Sequence, residues 1–214
     1  MVNKVSLGFC AEDKGVAESL CGVDVAVFGF KVFGSISFKS ELSGKQDALA
    51  EMGRLSAKLN AVCFFGVDTD SYGVKRRSVI ACSSGRLLGV SDETRVKNGG
   101  SASSGYKIYN TNKGKIGILV GNDLFNVEAV RSLTNCECDL IVDVSKDPCD
   151  FRPDILTQAI SYINGVAVCY MSGNVTVGAA PGGELEIFSE SPVGKFNLPT
   201  KRKYSEIIIK SRGF

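Results

Sequence analysis

Residues 114–129 read GKIGILVGNDLFNVEA, and this stretch decides the fold. Lys115 to Val120 form an apolar run with several β-branched residues, which predicts a buried strand. Gly121 follows as a turn residue, and apolar residues with helical spacing then predict a helix from Leu124 to Leu133. A buried strand that leads through a tight turn into a helix is typical of α/β proteins.

The same alternation of strand and helix patterns extends along the rest of the chain. Several strands are apolar on both faces, as in LIVDV at residues 140–144, which indicates burial between layers. A chain of 214 residues without a linker rich in Pro, Gly or Ser fits one domain over residues 1–214. We therefore expect a four-layer α-β-β-α sandwich of two mixed sheets, with helices on the outer faces. The other predicted strands are residues 4–9, 23–28, 61–67, 78–83, 140–144 and 166–171, and the other predicted helices are residues 46–59 and 152–164.

Composition argues against several classes of function. A net charge of +2 lacks the basic excess of a nucleic-acid-binding domain, so no nucleic-acid partner is expected. The start of the chain has no apolar core for a signal peptide, and no apolar run is long enough for a membrane span; a cytoplasmic protein with reduced cysteines and no membrane partner is expected. The absence of histidine removes Ser-His-Asp relays and the commonest metal ligand. Cys136 and Cys138 lack the spacing of a zinc site, so neither a metal nor a cofactor is expected.

Residues 114–129 resemble the nucleophile elbow of the nitrilase superfamily of carbon-nitrogen hydrolases. In that family a strand of the form G-K-I-G-V-x-I is followed by C-Y-D-x-R-F-P-E at the start of a helix. Gly121 stands where the family has its nucleophilic cysteine. Asp123 is predicted to cap the helix that begins at Leu124, and Glu128 to be a solvated helix residue. The positions that match the family pattern as they stand are Gly117, Asp123, Leu124, Glu128 and Ala129.

Three other segments are similar to family motifs and occur in the order that the family requires. Residues 25–30, VAVFGF, are similar to the strand ending in V-V-F-P-E that presents the glutamate base, so Phe30 takes the glutamate position. Residues 85–95, GRLLGVSDETR, resemble G-x-x-x-G-x-Y-R-K-T-H, and Glu93 takes the position of the lysine. Residues 158–168, QAISYINGVAV, resemble the helix and strand R-A-x-E-N-x-x-x-V.

The resemblance implies a hydrolase fold without the hydrolase's catalytic groups. In the family a thiolate attacks an amide or nitrile carbon, a glutamate transfers protons and a lysine stabilises the developing negative charge. Gly121 has no nucleophile, Phe30 cannot exchange protons and Glu93 puts a carboxylate in place of a cation. Losing one member of such a unit typically costs about 10⁴ to 10⁶ in rate. We therefore assign no catalytic residue, and expect an inactive protein whose vestigial pocket of Phe30, Glu93, Gly121 and Asn122 binds a small ligand, or one that binds a partner.

Two alternatives remain open from the sequence. One is an active amidase-type hydrolase with relocated catalytic residues, for which Lys97, Cys82 and Glu93 are the candidates. The other is an assembly subunit whose pocket is filled by an inward-pointing Phe30.

The resemblance also implies a homodimer. Family members commonly pair through the helix after the elbow and the helix before the next strand, here residues 124–133 and 152–164. Such an interface buries about 1,600 Å² in total. The residues expected to be partly covered by the second copy are Val127, Val130, Ile155 and Ile160.

Overall fold

The computed structural model describes residues 4–94, 105–121, 123–147 and 152–200. Within these residues the chain forms strands and helices that alternate as the sequence predicts. The strands are β1 Lys4–Cys10, β2 Val25–Phe28, β3 Ser35–Ser37, β4 Val62–Ser71, β5 Val74–Ser83, β6 Arg86–Asp92, β7 Lys107–Thr111, β8 Gly114–Val120, β9 Leu140–Ser145, β10 Ala167–Ser172, β11 Val175–Ala179, β12 Leu185–Ser189 and β13 Val193–Pro199. The α-helices are α1 Phe30–Phe33, α2 Phe38–Leu42, α3 Ala48–Leu59, α4 Val127–Asn135 and α5 Pro153–Asn164.

The strands form two mixed sheets. The first has the order β13-β1-β2-β4-β5-β6, with β3 also paired to β4, and the second has the order β12-β11-β10-β9-β8-β7. In the first sheet β1, β2 and β4 are parallel neighbours, and in the second β8, β9 and β10 are. The outer strands of both sheets are antiparallel. Each sheet therefore has a parallel centre.

Three apolar clusters separate four layers. The central cluster lies between the sheets and contains Val27 and Phe64 of the first sheet and Val142 of the second. A second cluster packs Met52 of α3 against the outer face of the first sheet, and a third packs Leu133 of α4 against the outer face of the second. The predicted α-β-β-α sandwich is confirmed.

The helices that cover the second sheet begin where their local sequence directs. The side chain of Asn126 accepts a hydrogen bond of 3.2 Å from the Glu128 N–H and caps α4. Pro153 occupies the first turn of α5, where its missing N–H costs nothing. The predicted helix start at Leu124 is too early, because residues Asp123–Phe125 form a separate 3₁₀ helix. Asp123 is therefore not the cap of α4.

Two residues expected at a dimer interface lie against the second sheet instead. Val130 is only 2 % exposed, and Ile160 is partly buried against the same apolar cluster. Both point towards the sheet because they lie on the apolar side of their helices. The expectation that a second copy covers Val130 is wrong.

The strands without predicted bounds are β3, β6, β7, β11, β12 and β13, and four of them, β6, β7, β12 and β13, lie at the edge of a sheet. An edge strand pairs with a neighbour on one side only and carries a mixed side-chain pattern, so it lacks the continuous apolar run of the central strands. In the described part of the chain, the helices are too short or too polar to span a bilayer.

Candidate functional site

Gly121 ends the strand β8 and begins the turn into the next helical segment, as predicted. Its N–H donates a hydrogen bond of 2.9 Å to the carbonyl oxygen of Val144, at the end of the neighbouring strand β9. Its φ of +72° lies in the left-handed region, which glycine adopts without the penalty that a side chain would add. The turn therefore requires a glycine-like backbone at this position.

The side chain of Glu93 fills the space above Gly121. A Cβ added to Gly121 would lie 2.8 Å from the Glu93 Cδ and closer still to Oε1. Glu93 is only 4 % exposed, and its N–H donates to the Arg77 carbonyl oxygen at 2.9 Å. The structure thus brings together two of the predicted site residues, with the carboxyl group of one covering the backbone of the other.

Phe30, the third predicted site residue, packs against the first sheet at Gly66. It is the first residue of α1, is buried, and belongs to the apolar cluster between the sheets. A Cβ added to Gly66 on β4 would lie 2.7 Å from Cδ2 of the Phe30 ring and 3.0 Å from a methyl group of Val144. Burying a phenylalanine side chain contributes about 1.5 to 3 kcal/mol to stability. The ring therefore occupies space that a side chain at residue 66 would otherwise fill.

A pair of hydrogen bonds connects the segment that carries Glu93 to the turn after Gly121. Asp123 accepts from the Thr94 N–H at 2.9 Å and from the Thr94 hydroxyl at 2.7 Å. Asp123 is buried, so these hydrogen bonds are shielded from water. This role replaces the helix cap that was predicted for Asp123. No local sequence pattern indicates it, because the two residues are 29 positions apart.

Asp143 adds a buried carboxyl group that the sequence reasoning did not include in the site. It lies in β9 with Leu119 and Tyr170 as its cross-strand neighbours, and it is completely buried. Neither carboxyl oxygen has a hydrogen-bond partner among the described residues. Burial raises the pKa of Asp143 well above 3.8, and the carboxyl groups of Asp123 and Glu93 raise it further. The signal was present in the sequence as one acidic residue within the otherwise apolar run LIVDV.

Arg77 lies at the rim of this group of carboxylates. Its Nη1 is 3.9 Å from Oε2 of Glu93, and its Nη2 is 2.7 Å from Oδ2 of Asp147. The longer of these distances exceeds that of a hydrogen bond. Across the described ranges, no group of three or more His, Cys, Asp or Glu side chains is arranged to hold a metal ion.

The candidates for relocated catalytic residues are Cys82, Lys97 and Glu93, and of these Glu93 lies beside Gly121. Cys82 lies on β5 in the cluster between the first sheet and α3, so it faces away from Gly121. Burial raises the pKa of Cys82 to about 12, which leaves it as an unreactive thiol at neutral pH. Lys97 and Asn122 lie outside the described residues.

Comparison with known proteins identifies the fold. No family model and no curated protein sequence matches the chain. Among solved structures, an amidase of the nitrilase superfamily from Nesterenkonia AN1 matches with a TM-score of 0.74 at 11% identity, covering 91% of this chain and 90% of that one. A carbon-nitrogen hydrolase from Helicobacter pylori G27 matches with a TM-score of 0.74 at 14% identity, covering 92% and 90%. A CN-hydrolase superfamily protein from Xanthomonas campestris matches with a TM-score of 0.75 at 14% identity, covering 91% and 90%. The chain therefore has the carbon-nitrogen hydrolase fold of the nitrilase superfamily.

Proposed function

We propose that this chain is a catalytically inactive protein with a carbon-nitrogen hydrolase fold, and that it serves as an assembly subunit. The observation that carries the proposal is the contact of Glu93 with Gly121. In the fold's hydrolases, by the resemblance of the motifs, a thiolate and its acyl intermediate occupy this space. Here a carboxyl group of the chain itself occupies it.

The chemistry of the three positions supports an inactive site. Gly121 offers no nucleophile and Phe30 no general base. Glu93 places a carboxyl group where a developing oxyanion needs a cation or a hydrogen-bond donor. An active hydrolase with relocated residues has less support, because Cys82 faces the outer layer and its thiol stays protonated.

The packing of the same positions favours assembly over the binding of a small ligand. The Phe30 ring lies against Gly66, and the Glu93 carboxyl group lies against Gly121. A ligand at either place would have to displace a buried side chain of the protein, and this displacement subtracts from its binding free energy.

The apolar surface of α4 and α5 supports a homodimer as the assembly. Val127 is 60 % exposed and Ile155 is 56 % exposed, although both are apolar. Tyr162 and Ile163 of α5 are also exposed. Several exposed apolar side chains on neighbouring helices favour an interface with another protein. The cytoplasmic location expected from the sequence stays a prediction.

Ammonia release from a panel of short aliphatic amides tests the catalytic part of the proposal. We expect the purified protein to release ammonia no faster than a heat-treated sample, because no nucleophile is present at the elbow. Ammonia release above that of the heat-treated sample would support the active alternative, provided that Asn122→Ala abolishes this release.

Light scattering at micromolar concentration tests the assembly part. We expect a dimer mass for the wild-type protein, and a shift to monomer for Ile155→Glu, which places a charge in the apolar surface. Leu42→Glu is the matched control, because Leu42 is also exposed but lies on α2, which covers the first sheet. A monomeric wild-type protein would contradict the homodimer and leave the catalytic part unaffected.

A further inference from the structure

The backbone of Glu93 is fixed on both sides. On the N-terminal side of its Cα, the Glu93 N–H donates to the Arg77 carbonyl oxygen of β5 at 2.9 Å. After it, Thr94 donates its N–H and its hydroxyl to Asp123, at 2.9 and 2.7 Å. Asp123 lies two residues beyond Gly121, at the start of the 3₁₀ helix. The two segments therefore meet at two neighbouring places. The Glu93 carboxyl group packs on Gly121, and Thr94 donates hydrogen bonds to Asp123.

We propose that Thr94 is a positioning residue: its two hydrogen bonds to Asp123 hold the Glu93 carboxyl group over Gly121 and keep the candidate site closed to solvent. The inference rests on the proposed function, since it assumes that Glu93 is what fills the site. It adds an interaction that acts on the backbone next to Glu93.

The geometry gives the hydrogen bonds of Thr94 more influence on Glu93 than the nearby guanidinium group has. The Thr94 hydroxyl is 2.7 Å from a buried carboxyl oxygen of Asp123, which is a well-formed hydrogen bond. Arg77 Nη1 is 3.9 Å from Glu93 Oε2, beyond hydrogen-bonding distance. Because Thr94 directly follows Glu93, any shift of Thr94 moves the backbone from which the Glu93 side chain projects.

Release of Thr94 would let the carboxyl group of Glu93 turn outward. A carboxyl group gains solvation on leaving a buried position, and this favours the outward orientation once the backbone is free. The Gly121 backbone would then line an open space.

Carboxyl labelling with a water-soluble carbodiimide and glycine ethyl ester, followed by mass spectrometry, measures the exposure of each acid. Thr94→Val removes the hydroxyl donor and keeps the side-chain shape, and Thr94→Ser keeps the donor. We expect Glu93 labelling to rise about tenfold in Thr94→Val, as for the loss of one strong hydrogen bond, and to stay at the wild-type level in Thr94→Ser. Glu137, whose side chain is 84% exposed, sets the scale of full labelling. Asp143 is completely buried and should stay unlabelled in all three proteins unless the fold opens.

Equal labelling of Glu93 in Thr94→Val and the wild-type protein would overturn the proposal. If Asp143 is labelled together with Glu93, Thr94→Val has lost its fold, and Thr94→Ala is measured in its place. Joint labelling of both acids in Thr94→Ala as well would mean that Thr94 supports the whole fold, which also overturns the proposal. The amide assay on the wild-type protein is independent of this result, so an active enzyme and a dispensable Thr94 are distinguishable failures.

Discussion

Replacing Asp143 by asparagine should stabilise the protein progressively as the pH rises. Asp143 lies in the middle of the second sheet, between Leu119 of β8 and Tyr170 of β10, and is completely buried. Its carboxyl oxygens have no hydrogen-bond partner in the described part of the chain. Burial raises its pKa well above 3.8, and the nearby carboxyl groups of Asp123 and Glu93 raise it further. The folded state therefore favours the protonated, neutral acid.

The sign and slope of the effect follow from proton linkage. Since the folded pKa of Asp143 is above the unfolded value of 3.8, its contribution to stability is complete below that pH. It is lost as the pH rises towards the folded pKa, at about 1.4 kcal/mol per pH unit. Asparagine has nearly the same shape and does not ionise. The difference in unfolding free energy between Asp143→Asn and the wild-type protein should grow at this rate and become constant above the folded pKa.

Urea denaturation, followed by far-UV circular dichroism at steps from about pH 4 to about pH 8, measures this difference. The titratable groups that face Asp143 are Asp123, Glu93 and Cys169, and they are present in both proteins, so their own titration largely cancels. Glu137→Gln is the control for exchanging a carboxyl group for an amide, because the Glu137 side chain is 84% exposed. A constant difference between Asp143→Asn and wild type across this range would refute the reasoning, since it would mean that Asp143 does not titrate there.

Two further predictions concern glycines that make room for side chains of the site. Gly121→Ala should lower the unfolding free energy by about 1 to 3 kcal/mol more than Gly173→Ala does, because both have positive φ but only Gly121 has Glu93 beside the added Cβ. Similar losses in both variants, measured by urea denaturation, would count against the packing of Glu93 on Gly121. Phe30→Ala should lower the unfolding free energy by about 3 to 5 kcal/mol. The double variant Phe30→Ala, Gly66→Ala should lose less unfolding free energy than the sum of the two single variants, because the Phe30 ring and the added methyl group at residue 66 compete for one space. Additive losses in this double-mutant cycle would refute the contact.

Local patterns predicted the part of the fold that is buried on both sides. The strand before Gly121 and the turn at Gly121 could be predicted, because an apolar run and a following glycine are both local signals. The edge strands β6, β7 and β13 could not, since an edge strand is stabilised by its one neighbour and carries a mixed pattern. The start of α4 was misplaced for a similar reason. Asp123 and Asn126 are both good cap residues, and only the position of Thr94 decides that Asp123 is used elsewhere.

The assignment of the site positions stays a prediction, and the contacts of these residues could not be predicted from the sequence. The order of the motifs gave Phe30, Glu93 and Gly121, and an inward Phe30 was one of the alternatives considered. The direction of the Glu93 side chain depends on the bonds between Thr94 and Asp123, which lie far apart in the chain. A contact between distant segments leaves no periodic signal in a single sequence.

The contacts of the site make its two bulky residues interdependent with two glycines. The space for Phe30 exists because Gly66 has no side chain, and the space for the Glu93 carboxyl group exists because Gly121 has none. A cysteine at 121 would bring a Cβ within 2.8 Å of the Glu93 Cδ and would have to adopt a left-handed φ of +72°. A glutamate at 30 would place a carboxyl group in the apolar cluster between the sheets, where desolvation favours its neutral form. Neither single change restores the arrangement that the family resemblance assigns to these positions. Phe30 and Glu93 are therefore each coupled through packing to a glycine, and a side chain at 121 can be accommodated only if Glu93 changes as well.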